Sequence, residues 1–354
     1  MAKVFVGLSG GVDSAVSAYL LKKQGHDVTG VFIKAWEPDF LPCTGARDRL
    51  EAMRVAAHLG IPFHTYDLEE EYKRDVVEYF INEYKEGRTP NPDVMCNRTI
   101  KFGAFAKRAL AEGADFIATG HYSRVSEGSE GTGNWEQGVE LQPSTFNLLP
   151  SRDSEKDQTY FLWTLTQDDL KHTLFPVGGL EKSEVRALAK EAGLPNSSRP
   201  DSQGLCFLGH VDMKDFLKRY IHPKNGPIYG TDGKEVGEHD GAWFYTVGQR
   251  IGIDRGEVRH YVVAKDVKKN TLTVSDSPVS EESKNTFELK DANWISGSAP
   301  QKALARFRYR QPLIPVTIAD GVVTFDEPQL IASGQSLVVY NQAGDLCLGG
   351  AIIG

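Results

Sequence analysis

Cysteine is scarce in this chain, with four in 354 residues, at positions 43, 96, 206 and 347. None belongs to a C-x-x-C pair and no His–Cys group has metal-ligand spacing, so neither a structural zinc site nor a chain-held iron–sulfur cluster is expected. No apolar run approaches the roughly 20 residues of a membrane span, and no membrane association is expected. The opening residues, MAKVFVGLSGG, enter a strand at once and leave no room for a signal or transit peptide. The expected location is the cytoplasm. An excess of positive charge is missing too: Lys and Arg number 40 against 48 Asp and Glu, a formal net charge of -8. Any nucleic-acid surface must then be a local one. No repeat of fixed period is present.

The rest of the composition is that of a soluble folded protein, and the length suits two or three domains. Strand and helix alternate through the first half. KVFVGLS reads as a strand, SAVSAYLLKKQG as a helix closed by Gly25, and DVTGVFIKAW as the next strand. RLEAMRVAAHLGIP reads as a helix with Leu50, Met53 and Ala57 on one face. EEEYKRDVVEYFINEYKEG sets Tyr72, Val76, Phe80 and Tyr84 at four-residue steps, the pattern of a long amphipathic helix. After the loop RTPNPDVMCN come the helix IKFGAFAKRALAEGA and the strand DFIATGH. This order implies a parallel sheet with helices on both faces. The stretch SEGSEGTGNWEQGVELQ, from Ser126, reads as a solvated insertion. From about Gly226, and again from about Ser283, short alternating runs between Gly and Asp turns read as β modules.

The first strand ends in Ser9, Gly10, Gly11, Val12, Asp13 and Ser14 and opens into a helix. Backbone N–H groups at a positive helix end make an anion site, and glycines let the anion come close. The lysine of the phosphate loop G-x-x-x-x-G-K-S/T is absent, which makes γ-phosphoryl transfer a poor fit. A lone glycine pair would be no more than a turn. These six residues, however, resemble the SGGxDS signature of the ATP-pyrophosphatases. That resemblance implies a grip on the pyrophosphate end of ATP and transfer of AMP to an oxygen. Asp13 then has two readings, a ligand to Mg²⁺ on the pyrophosphate or an ordinary helix-start acid.

Two cysteines have unusual surroundings. Cys96, in RTPNPDVMCNRTIKFG, stands directly before the expected helix, where a positive helix end favours thiolate. Cys206, in RPDSQGLCFLG, stands in a Gly-rich loop, whereas Cys347 lies in an apolar β stretch and Cys43 has no comparable setting. With the ATP loop, the ordered set GLSGGVDS, NPDVMCN, ATGHY, KDQTYFL, DSQGLCF, YTVGQRIGI, RYRQ and SGQS resembles the tRNA-specific 2-thiouridylases over nearly the whole chain.

The resemblance implies an α/β fold: a parallel-sheet ATP-pyrophosphatase (adenine nucleotide alpha hydrolase-like) catalytic domain, 1–209. A central β module, 210–282, and a tRNA-contacting C-terminal β-barrel, 283–354, would follow. It implies 2-thiolation of the wobble uridine (position 34) of tRNA with ATP and Mg²⁺, AMP going to the C2 oxygen before sulfur replaces it. Cys206 would carry the sulfur as a persulfide received from a sulfur carrier protein. Cys96 would be the partner nucleophile, and a transient Cys96–Cys206 disulfide would remain. A monomer is expected.

Carried over by position, ATP would touch Gly7, Leu8, the loop Ser9 to Ser14, Ile33 and Gly120. Ile33 departs from the methionine usual in the family, though an isoleucine still packs on adenine. Asn91, Pro92 and Asp93 would surround the target base. Asp93 reads equally as a proton acceptor or base contact and as a turn residue or helix cap after Pro92. His121 would lie near the tRNA, or else be a strand-end histidine with a local hydrogen bond. Lys156, Asp157 and Gln158 would contact tRNA, or form a polar helix start. Arg308, Tyr309 and Gln335 would contact tRNA as well. Arg306, Arg308 and Arg310 alternate with Phe307 and Tyr309, which on a strand would put the three arginines on one face. The rival readings are a small-substrate ATP-pyrophosphatase ligase, which would need no cysteine pair, and an idle RNA-binding protein that retains an ATP fold and would release no pyrophosphate.

Overall fold

In the computed structural model, which describes residues 1–40, 45–128, 145–201, 212–253, 259–277 and 282–354, the first strand already divides the core in two. Along β1 (Lys3–Gly7) Val4 and Val6 face one way and Phe5 the other, as the two-residue period of a strand requires. On the first side Val4 and Val6 join Val28 and Phe32 of β2 (Asp27–Lys34) under helices α1 (Val12–Lys23) and α2 (Gly45–Leu59). On the other side Phe5, Val31 and Ile33 meet the long helices α3 (69–85) and α4 (92–111).

Three more strands complete this sheet: β3 (Phe63–Asp67), β4 (Phe116–Ala118) and β7 (Thr173–Leu174). Its order is β3-β2-β1-β4-β7 and every pairing is parallel. Successive strands run outward from β1 on one side, then β4 and β7 are added on the other. The order reverses between β1 and β4, and a crevice opens beyond their carboxyl ends, where ligands bind in such sheets.

Tyr72, Val76, Phe80 and Tyr84 are all buried along α3, as their spacing implies. The helix widens into a π segment at Lys73–Glu78, which keeps four-residue steps on one face. Helix α2 buries a different face from the expected one. Leu50 and Met53 are each 39% exposed, while Ala52, Val55, Ala56 and Leu59 pack on the sheet. Two alanines let the helix approach closely, and that advantage outweighs burying the larger side chains. Helix α4 also starts earlier than expected, at Pro92, because Asn91 caps it: its Oδ1 accepts from the amides of Asp93 and Val94. Pro at the first helical position behind an Asn cap is a strong start signal. Cys96 therefore lies one turn inside the helix, not in front of its positive end.

After helices α5 (Lys182–Glu191) and α6 (Met213–Lys218) comes a five-stranded β module. Its strands, β8 (Gly226–Gly230), β9 (Glu235–His239), β10 (Arg250–Gly252), β11 (Arg259–Asp266) and β12 (Thr271–Ser275), have the order β10-β11-β12-β8-β9. The last six strands close a barrel: β13 (Lys284–Trp294), β14 (Lys302–Arg306), β15 (Ile314–Ala319), β16 (Val322–Gln329), β17 (Ser336–Tyr340) and β18 (Cys347–Ile353), with β18 pairing back to β13. A hairpin from the first half, β5 (Ser123–Glu127) and β6 (Phe146–Pro150), extends this sheet through the pair Leu148–Cys347. The core of the expected insertion, 129–144, lies outside the described residues, as do Cys43 and Cys206. Among the described residues no helix is long and apolar enough to cross a membrane.

Phe105 of α4 is wholly buried against the sheet, its ring 6.1 Å from that of Tyr66 on β3 between centroids. Phe105→Ala should cost about 3–5 kcal/mol in the denaturant unfolding of the α/β domain, because the cavity it leaves is lined by a rigid sheet. A loss under 1 kcal/mol would show that α4 collapses onto β1.

Candidate active site

The loop after β1 is shaped by its own hydroxyls and by the absence of side chains at two glycines. Ser14 Oγ donates to Gly11 O at 3.1 Å and accepts from Ser9 N at 3.2 Å. Gly10 has φ +76, and a Cβ there would stand 2.6 Å from Asp48 O. Its carbonyl is held from below by Asn196 Nδ2 at 2.8 Å and Arg199 Nη1 at 3.2 Å. Gly120, just past β4, faces the loop so closely that a Cβ would be 2.7 Å from Ser14 N. Gly11 caps α1 with no side-chain hydrogen bond. The first amides of a twelve-residue helix therefore face the crevice without a capping side chain, the arrangement that receives an anion.

The crevice is a cavity of about 810 Å³. Gly7, Leu8, Ser9 and the residues Gly11 to Ser14 line it, with Gly10 just beneath; Ile33 and Gly120 flank them. The same cavity reaches Asp93, His121, Lys156, Gln158 and Tyr309. The glycine loop and the helix that carries Cys96 thus open onto one space. Cys96 itself has no exposure and belongs to the core cluster on the α3–α4 side. Cys347 is buried in β18, and burial pushes its thiol up to about 12, which leaves it unreactive.

Charges around Asp13 form a chain that sequence reasoning missed. Tyr122 Oη donates to Asp13 Oδ1 at 2.9 Å and Lys182 Nζ to the same oxygen at 2.6 Å. Lys182 Nζ also lies 2.9 Å from Asp201 Oδ1, and Lys156 Nζ is 2.8 Å from Asp201 Oδ2. Burial alone would raise the Asp201 carboxyl, but hydrogen bonds from Lys156 and Lys182 outweigh it and hold the group well below the usual carboxylate range. Tyr122 and Asp201 sit in the quoted segments ATGHY and RPDSQG. Lys182 had no signal, since it starts a helix like any other lysine.

The remaining expected contacts divide. His121 makes its local bond: Nδ1 is 2.7 Å from Thr119 Oγ1, and Lys101 Nζ lies 3.4 Å from Nε2. Asp157 is buried, accepting from Ser151 N and Thr159 Oγ1, while Gln158 Oε1 accepts from Tyr122 N. In this conformation both hold the chain. Asn91 is the cap of α4 and Pro92 its first residue, which leaves Asp93 the member of the trio that faces the cavity. The arginines are not on one strand face. Strand β14 ends at Arg306, which is mostly buried 3.8 Å from Asp157 and packs over Tyr340. Residues 307–310 form a turn whose Arg308 and Phe307 amides are held by Gln311 Oε1, and Arg310 takes φ +63. Tyr309 packs on Phe161 with ring centroids 4.7 Å apart and looks into the cavity; Arg310 joins it there. Gln335 Nε2 donates to Thr89 O at 2.9 Å.

Three family models cover the chain in order: the tRNA methyl transferase HUP domain over residues 2–210, its PRC-barrel domain over 214–276, and the aminomethyltransferase beta-barrel domain over 284–353. The tRNA-specific 2-thiouridylase MnmA 2 of Geobacillus kaustophilus is 44% identical over 99% of this chain and 94% of its own length. The chain belongs to the tRNA-specific 2-thiouridylase family. A second 2-thiouridylase, from Francisella philomiragia, is 43% identical over 99% of both chains. Among solved structures, the U34-tRNA thiolase NcsA of Methanococcus maripaludis aligns at 18% identity over 62% of this chain and 67% of that one, with a TM-score of 0.37. The 2-thiouridylase relationship accounts for the order of the three parts and for a parallel sheet with the nucleotide-type loop at its switch point.

Burial, and then the nearby Lys101, hold the His121 imidazole well below its ordinary value, so the folded protein keeps it neutral. The unfolded chain binds a proton there below about pH 6.5, and stability from this group falls as the pH drops through that value. His121→Gln should flatten the loss between pH 7.5 and 5.5 by up to about 1.4 kcal/mol per unit below pH 6.5, read from urea midpoints. Equal slopes in both proteins would mean that His121 is protonated in the fold.

Proposed function

We propose that this chain is an ATP-dependent tRNA-uridine 2-sulfurtransferase acting on C2 of the wobble uridine, position 34. The observation that carries the reading is the shared cavity: the uncapped start of α1, Asp93 and Tyr309 open onto one space. The relatives are named for uridine thiolation, and their match runs the length of the chain.

ATP fits the residues present. The α1 amides suit its phosphates, Gly120 leaves room beside them, and Ile33 offers an apolar edge for adenine. Mg²⁺ would be held by Asp13 together with phosphate oxygens, a usual arrangement for that ion. Asp13 Oδ1 is engaged by Tyr122 and Lys182, which aims the carboxylate across the crevice. ATP supplies the activating group: AMP transfer to the C2 oxygen, with release of pyrophosphate, makes that oxygen a leaving group.

The terminal sulfur of a Cys206 persulfide, received from a carrier protein, attacks C2 as AMP departs. The Cys96 thiolate then attacks Cys206 Sγ, breaking its bond to the transferred sulfur. The products are 2-thiouridine and a Cys96–Cys206 disulfide, and two electrons from an external thiol reductant reset the pair. Asp93, one turn before Cys96 on α4, is placed to accept a proton at the base or the thiol. Cys96 is fully covered, so docking of the substrate must uncover it. The protein works as a cytoplasmic monomer with tRNA and the carrier as its partners.

The test supplies ATP, Mg²⁺, unmodified tRNA and a carrier protein loaded with persulfide and assays the nucleosides by mass spectrometry. Wild type should form 2-thiouridine and Cys96→Ser should lose it by about a hundredfold or more, as for a lost covalent nucleophile. Free sulfide should bypass Cys206→Ser in part. Thiolation that survives Cys96→Ser would overturn the assigned roles. No thiolated base with any sulfur source would favour a ligase for a small substrate.

A further inference from the structure

Helix α4 brings a row of polar side chains to the cavity. Asp93, Asn97 and Lys101 line it at four-residue steps, and a π segment over Asn97–Phe105 keeps such steps on one side of the helix. Asn97 ends the segment NPDVMCN and directly follows Cys96.

The Asn97 amide is half used. Its Nδ2 donates to Phe161 O at 3.0 Å. A carbonyl only accepts, so this bond decides which end of the amide is which and turns Oδ1 away from Phe161. Oδ1 is buried and has no hydrogen-bond partner. Of the buried side-chain atoms in that condition among the described residues, it is the one whose residue lines the cavity. A covered acceptor with nothing to accept is costly, and a cavity wall is where a ligand can supply the donor. Docking that uncovers Cys96 uncovers its neighbour with it.

The place of Asn97 within the cavity says which ligand. At the other end of the row Phe105 backs the glycine loop, since a Cβ on Gly7 would stand 3.7 Å from Phe105 Cε1. Asn97 lies two turns away from that end and one turn from Asp93. Beside it the Phe161 ring packs on Tyr309, with centroids 4.7 Å apart, and both residues line the cavity. Aromatic faces next to a hydrogen-bonding edge suit a flipped-out base, not a phosphate.

The oxygen to be replaced does not identify uracil. Cytosine carries the same carbonyl at C2, and the two rings have nearly one shape. They differ at C4 and at N3, which donates in uracil and accepts in cytosine. An amide oxygen held against N3 accepts from the first and repels the lone pair of the second, the two halves of a specific contact. We propose that Asn97 is the specificity-determining residue for the base: its Oδ1 accepts the N3–H of a uracil seated by Phe161 and Tyr309, and cytosine is refused there. This rests on the sulfurtransferase reading and names the group by which its substrate is told from the other pyrimidine.

Full-length unmodified tRNA transcripts that differ only at position 34 test this by filter binding, with α,β-methylene ATP present so that no AMP is transferred. The wild type should bind the uridine transcript about tenfold or more tighter than the cytidine one, as for a site built to bond a donor. A transcript with 3-deazauridine there, which keeps the shape but has C–H in place of N3–H, should bind as weakly as cytidine. Asn97→Ala should bring uridine and cytidine within about twofold by weakening uridine alone. Asn97→Asp should keep the preference, because a buried carboxylic acid can donate to Phe161 O and leave its other oxygen as acceptor. Thiolation kcat/KM should follow the same order. A wild type that binds all three transcripts equally would overturn the proposal, and that arm needs no variant to fold. Equal losses for uridine and cytidine in Asn97→Ala would reduce the residue to a support for Phe161. Weaker ATP binding in Asn97→Ala with the uridine preference intact would assign Oδ1 to adenine instead. A wild type that prefers uridine yet thiolates nothing would leave Asn97 its role and count against the sulfurtransferase reading.

Discussion

The site depends on how closely the end of β4 comes to the start of α1. The missing Cβ of Gly120 lets one chain rest against the amide of Ser14, and a parallel sheet whose order reverses between β1 and β4 brings these two ends side by side. A Cβ at this position would push the strand end away from the start of α1 and open that wall of the cavity. The hydroxyls of Ser9 and Ser14 and the Asn196 bond to Gly10 then hold a conformation that glycine alone would leave loose.

Around that contact the protein compensates for an unusual loop. A nucleotide loop ordinarily brings its own lysine. Here the ammonium nearest to Asp13 is that of Lys182, the first residue of α5, and it is shared with Asp201. Positive charge at the loop is therefore a property of the tertiary fold. Asp201, held by Lys156, Lys182 and Arg186, immediately precedes the segment of sequence in which Cys206 lies. The ion pairs at the glycine loop and those at Asp201 share one lysine.

Much of this was legible in the residues. Strongly patterned segments such as KVFVGLS and the Tyr72–Tyr84 face of α3 go where their period sends them, and the glycine loop stands at the strand–helix junction that its residues imply. What failed failed for tertiary reasons. The Leu50–Met53 face of α2 lost to an alanine face because close packing against a sheet favours small side chains. Alternating arginines suggested a strand, but Gln311 folds that stretch into a turn, and period alone does not reveal a turn closed by a side chain. The Asn91–Pro92 start of α4 was readable and was passed over, which misplaced Cys96 by a turn. Lys182 carries no local mark, because what matters about it is what lies opposite.

The hairpin β5–β6 bears on how the chain is made. Its outer partner, β18, is the last of the described strands, about 200 residues further on. A ribosome adding roughly 5–20 residues per second needs on the order of 10–40 s to cover that distance. Throughout that interval β6 offers an unpaired edge, the feature by which nascent chains find wrong partners. Synthesis of this protein therefore includes a waiting period in which the α/β domain can be substantially built while one of its strands still lacks a neighbour. That edge is closed only when β18 arrives, so the hairpin reaches its final pairing in the last step of assembly.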